Sequence, residues 1–130
     1  MAKIDYRLEL IQVPVSDVDR AKDFYVNKVG FADDGDHQVN DEIRFVQLTP
    51  PGSACSIALT TGAHEMEPGS IDGLQMVVDD ADAAREDLAG RGVEMSEVQD
   101  FPWGRFAFFS DPDGNGWAVQ ALDSPLRPKS

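Results

Sequence analysis

Residues 106–120 read FAFFSDPDGNGWAVQ, two apolar runs separated by a polar turn. Pro112 presets φ at the second turn position, Asp111 can accept a hydrogen bond from the backbone ahead of it, and Gly114 and Gly116 tolerate positive φ. The stretch therefore predicts a β-hairpin whose second strand is the last strand of the fold. Upstream, residues 73–78 (GLQMVV) have strand character. Asp79 or Asp80 is set to cap a helix through Ala81, Ala84, Arg85 and Leu88 to about Arg91, which Gly92 closes. A short strand is expected near Val93 to Met95, and residues 96–104 (SEVQDFPWG) read as a loop.

The first half has the same plan. Residues 8–15 (LELIQVPV) read as a strand, with Leu8, Leu10 and Gln12 on one face and Glu9, Ile11 and Val13 on the other. Ser16 is the expected N-cap of a helix from Asp17 to about Lys28, in which Val18, Ala21, Phe24 and Tyr25 recur at helical spacing before Gly30. Phe31 to Asp34 is a weak strand, and residues 42–49 (EIRFVQLT) and 55–61 (CSIALTT) are stronger ones, divided by Pro50, Pro51 and Gly52. At an offset of 63 residues Asp17 falls on Asp80, Asp19 on Asp82, Ala21 on Ala84 and Lys22 on Arg85. The expected fold is α+β: two βαβββ modules, about 8–61 and 73–122, joined by a linker at 62–72, within one domain.

The balance of 24 Asp plus Glu against 11 Lys plus Arg gives a formal charge of −13 over 130 residues. Such a field repels phosphate backbones and anionic lipid and attracts cations, so neither nucleic acid nor membrane is an expected partner. No apolar run approaches the roughly 20 residues of a bilayer span, and residues 1–10 lack a secretory apolar core, so a cytoplasmic location is expected. The lone Cys55 fits a reducing compartment and reads as a small buried hydrophobe.

Three strings, VPVSDVDRAKDFY at 13–25 with Gly30-Phe31 after it, VVDDADAAREDL at 77–88, and FFSDPDGNGWAVQ at 108–120, resemble the vicinal oxygen chelate superfamily. That superfamily holds glyoxalase I, extradiol dioxygenases, methylmalonyl-CoA epimerase and the bleomycin- and fosfomycin-resistance proteins. The resemblance spans about residues 8–122. It implies that the curved sheets of the paired modules form a cup with helices outside, often completed in a homodimer. In its metalloenzymes the cup holds a divalent metal on four inward His, Gln or Glu side chains. Carried over by motif, those positions fall here on Leu10, Ala58, Gly73 and Ala118, none of which ligates through its side chain. No metal and no cofactor are expected.

Two residues along each strand on the same face stand Gln12, Thr60, Gln75 and Gln120, a neutral ring suited to hydrogen-bonding a polar ligand and poor for a divalent cation. Their other reading is as solvent-facing or mutually satisfied amides. Phe45, Gln47, Phe106 and Phe108 are further candidates for lining the cup. Phe101 and Trp103, beside Gly104, can form a lid, or else pack in the core or at a dimer contact. His37 and His64 read as surface histidines, and Asp111 and Asp113 as turn formers. The leading expectation is a non-metal, drug- or metabolite-sequestering protein for a neutral or cationic, partly aromatic compound. The alternative is a metal-dependent lyase, isomerase or dioxygenase with atypical ligands, and a third reading is an accessory interaction module.

Overall fold

β1 (Leu10–Pro14) runs parallel to β4 (Ser56–Thr61), which pairs antiparallel with β3 (Arg44–Thr49), which in turn pairs with β2 (Ala32–Gln38). The second sheet repeats this plan. β5 (Leu74–Val77) is parallel to β8 (Gly116–Ala121), and β7 (Gly104–Ser110) and β6 (Gln99–Phe101) follow antiparallel. Each sheet thus has the order first, fourth, third, second strand of its module. The computed structural model describes residues 3–61 and 66–122. The fold is α+β, with two βαβββ modules as expected; His64 and part of the linker lie outside the described residues.

The strand alternation sorts the two faces as the pattern predicted. Val13, Leu59, Ile57, Leu74, Trp117 and Val119 are buried in the common core, where the helices cover them. α2 (Ala81–Gly90) is capped by Asp80, whose side chain accepts from Ala83 N. α1 (Val18–Asp23) is capped by Asp17, which accepts from Arg20 N at 3.1 Å, and not by the expected Ser16. Ser16 is drawn away because its hydroxyl donates to the Asp113 carboxylate across the molecule, at 2.6 Å.

Two further differences have packing causes. After Asp23 the first helix widens into a π-helical turn, Phe24–Val29, so that Phe24, Tyr25 and Val29 are all buried. Val93 to Met95 form no strand: Val93 packs into the core, while the second strand of the module is β6, inside what read as a loop. β2 is longer than the four expected residues and almost wholly exposed, being held by its ladder to β3 and by Lys22 and Arg44 on its acids.

The seam between modules is polar where the DPDGN turn meets the first module. The Tyr25 hydroxyl donates to Asp111 and accepts from Trp117 Nε1, both at 2.8 Å. Asp111, 5% exposed, also accepts from Asn115 Nδ2 and from the backbone N–H groups of Asp113 and Asn115. It forms the turn as expected, and it also anchors the turn to the first module's helix. Burial, with the Asp111 carboxylate beside it as the next cause, pushes the Tyr25 phenol well above its ordinary 10.0, which keeps it a neutral donor. Pro14 O accepts from both Asn115 Nδ2 and Gly69 N. A Cβ at Gly69 would lie 2.0 Å from Asp113 O, so the linker can cross this turn only through glycine.

Candidate functional site

The sheet faces turned away from the helices carry the predicted site residues. In the first sheet, register sets Gln12, Ala58 and Gln47 side by side across β1, β4 and β3, and the next row holds Pro14, Thr60 and Phe45. In the second, Gln75, Ala118 and Phe108 form a row across β5, β8 and β7, followed by Val77, Gln120 and Phe106. Each sheet therefore has an alanine floor flanked by larger side chains. The four amide or hydroxyl positions of the expected ring are divided two and two between sheets, and among the described residues none of Gln12, Thr60, Gln75 and Gln120 hydrogen-bonds another.

Their environments differ. Gln12 and Gln75 are exposed. Gln120 donates through Nε2 to Trp103 O at 3.2 Å and so tethers the β6–β7 turn. Thr60 is 2% exposed, and its Oγ1 has no hydrogen-bond partner. A buried hydroxyl without a partner is costly unless something supplies one.

The aromatic side chains make a continuous row on the second sheet. Trp103 stacks on Phe101 at 5.2 Å between ring centroids, Phe101 meets Phe106 edge-on at 5.5 Å, and Phe106 stacks on Phe108 at 5.9 Å. Trp103 remains 60% exposed and Phe108 36%, which leaves flat aromatic surface open to a partner. Phe101, expected in a lid, in the core or at a dimer contact, belongs to this row.

Of the four positions to which the resemblance carries the family's metal ligands, Leu10, Ala58 and Ala118 lie on strands β1, β4 and β8, and Gly73 immediately precedes β5. Their side chains offer no oxygen, nitrogen or sulfur donor. Among the described residues no three His, Cys, Asp or Glu side chains are grouped to hold a metal ion. Side chains of the types at those four positions do not fit the family's metal. His37 is exposed on β2, and Cys55 is half-buried.

A polar chain escaped the sequence reading: Gln47, Ser56, Thr49 and Asp34 are linked by side-chain hydrogen bonds on the first sheet. Period-two spacing from Gln47 and Ala58 could have found Thr49 and Ser56. Asp34 could not be found that way, because the β2–β3 register shifts between Asp33 and Gly35. A cavity of about 810 Å³ lies on the opposite, helix-covered side, lined by Ile11, Phe31, Ile57, Leu74, Trp117 and Val119 among others. Gly73, Gln75 and Ser56 line it as well, whereas Gln12, Gln47, Thr60, Phe106, Phe108 and Gln120 do not.

Ion pairs join each helix to strands of its own sheet. Arg105 bridges Asp82 and Asp100, which raises the Arg105 pKa and lowers that of Asp82. Arg44 and then Lys22 hold Asp36 well below the usual carboxylate range. No helix among the described residues is long and apolar enough to cross a membrane.

Residues 7–119 match the model of the glyoxalase/bleomycin resistance protein/dioxygenase superfamily. Among solved structures the chain is similar to TnmS3, an antibiotic-binding protein from Streptomyces sp. CB03234, with 40% identity, a TM-score of 0.84, and coverage of 94% of this chain and 100% of that one. A glyoxalase/bleomycin resistance protein from the same Streptomyces is 43% identical, with a TM-score of 0.77 and coverage of 88% and 99%. A superfamily member from Sphaerobacter thermophilus DSM 20745 is 36% identical, with a TM-score of 0.79 and coverage of 91% and 98%.

Proposed function

The chain belongs to the glyoxalase/bleomycin resistance protein/dioxygenase superfamily, and from that membership we propose that it is a metal-independent binding protein for a small, partly aromatic, neutral or cationic compound of the antibiotic type. One observation carries this reading: an open aromatic row, Trp103 to Phe108, lies on the same face as positions that would hold metal in the family's enzymes and here carry alanine. Rings on that row stack a planar ligand, the amides and the Thr60 hydroxyl orient its polar groups, and the charge of −13 raises the local concentration of cations. The similarity to an antibiotic-binding protein at 40% identity supports it.

The working unit is a homodimer in this reading. Among the described strands β1 and β5 are unpaired edges, and exposed apolar side chains accompany both: Ile4, Tyr6 and Leu8 lead into β1, and Val77 on β5 is 68% exposed. Joining an edge of one copy to that of the next sets a first-module face beside a second-module face.

Titration with a planar cationic antibiotic such as doxorubicin, followed by quenching of tryptophan fluorescence, tests the reading. Saturable binding that survives EDTA, weakens with salt and loses most of its quenching in Trp103→Phe is expected. The reading fails if no planar aromatic compound binds, or if protein purified without chelator carries one equivalent of metal that binding requires.

A further inference from the structure

We propose that Gln47 determines specificity on this face and that it reads a hydrogen-bond donor on the ligand, an N–H, O–H or ammonium group. The inference rests on the reading of the face as a ligand site. It follows from the direction of the chain that holds Gln47.

Thr49 donates its hydroxyl proton to the Asp34 carboxylate, which can only accept. A threonine hydroxyl has one proton, so at its 2.7 Å contact with Ser56 the Thr49 oxygen accepts and Ser56 donates. With its single proton committed, the Ser56 oxygen accepts from Gln47 Nε2 at 3.3 Å. The carboxylate thus fixes the polarity of every bond out to the amide. An unconstrained glutamine could present either end to a ligand; this one is held by its nitrogen.

Gln47 Oε1 makes no hydrogen bond among the described residues, and Gln47 stands beside Ala58 on the open face. It offers an acceptor, and the complement of an acceptor is a donor. The Thr60 hydroxyl, buried and without a partner one row away, supplies a second polar contact that can act either way. At the position equivalent to Gln47 the second module has Phe108, which has only its ring to offer. The pair of faces therefore selects a flat aromatic body that carries a donor. Asp34, Thr49 and Ser56 are positioning residues; Gln47 is the contact.

The probes are 2-aminoanthracene and 2-(dimethylamino)anthracene, which share a ring system and differ in the N–H donors. Fluorescence titration of the full chain should give about five- to tenfold tighter binding of the amine. Gln47→Leu should abolish that preference. Thr49→Val, which keeps the β-branched shape, and the exposed-site variant Asp34→Ala should each reduce it to about twofold or less, with circular dichroism and thermal midpoint confirming the fold. Equal binding of both dyes by the parent protein, or a preference that persists in all three variants, overturns the assignment of Gln47 and leaves the face as a binding site. Binding of neither dye overturns both.

Discussion

The two modules share strand order, register and floor, and differ in what stands on the floor. Gln12 and Gln75 are equivalent, as are Ala58 and Ala118, and Phe45 and Phe106. The exchange that matters is Gln47 for Phe108. On the first sheet the amide is backed by hydroxyls and a carboxylate; on the second the ring continues a row of aromatics. A duplicated unit has thus been divided into a hydrogen-bonding half and a stacking half, without changing the backbone that presents them.

The hairpin turns diverge as well, and breaking that difference should give the largest effect. The β7–β8 turn holds Asp111, which is buried and accepts from Tyr25, Asn115 and two backbone N–H groups. The β3–β4 turn holds Ser53, whose hydroxyl is satisfied locally by Cys55. Asp111→Ala should cost about 3–5 kcal/mol in urea unfolding, because it strands several buried donors, whereas Ser53→Ala should cost under about 1 kcal/mol. Equal costs would mean that the seam does not depend on this carboxylate.

Two of the four edge strands, β1 and β5, give the next test. In the proposed dimer Val77→Asp should leave the chain folded and raise the dissociation constant by about 30- to 100-fold, as expected for a charge buried without a partner. Light scattering across a dilution series reads this; an unchanged molar mass would mean that β5 is not an interface.

The amide and ring halves can be exchanged. Phe108→Gln should weaken binding of a planar aromatic probe by about five- to tenfold, the contribution of one aromatic contact. Gln47→Phe should leave that affinity within about twofold and remove the dependence on N–H donors. If both changes weaken stacking alike, the halves are not specialised.

The smallest effect belongs to the outer strand of the first module. Arg44 and Lys22 lower the folded pKa of Asp36 below its ordinary 3.8, so the stabilisation is present above that value and is lost as pH falls through the lowered folded value. Asp36 is partly exposed, and Asp36→Asn should therefore cost no more than about 1 kcal/mol at pH 7. The difference in thermal midpoint between parent and variant should shrink as the pH is taken below 3.8; a constant difference would assign the effect to packing.

Much of this was legible because period two and the repeat act over short distances. The alternation in 8–15, 55–61 and 73–78 identified which residues join the helix-side core, and the turn at 111–115 identified the last hairpin. What could not be read depends on contacts between distant residues. Ser16 loses the helix cap to Asp17 because Asp113 takes it, and Tyr25 finds Asp111 from 86 positions away. β6 was read as loop because three residues carry too little pattern to signal a strand, while the nearby Val93 to Met95 run carried an apolar pattern used for core packing. Asp34 joins the polar chain only through a bulge, and no alternation rule anticipates the residue at which a register slips.

The crossing of the linker at Gly69 has a consequence for anyone who would recombine these modules. A connecting segment is usually treated as a string whose length matters and whose letters do not. Here the string is threaded through a fixed eyelet, with Asp113 O on one side and Pro14 O accepting from Gly69 N on the other. A chimera joining a first module to a foreign second one must carry over the glycine and the turn it passes as a matched pair.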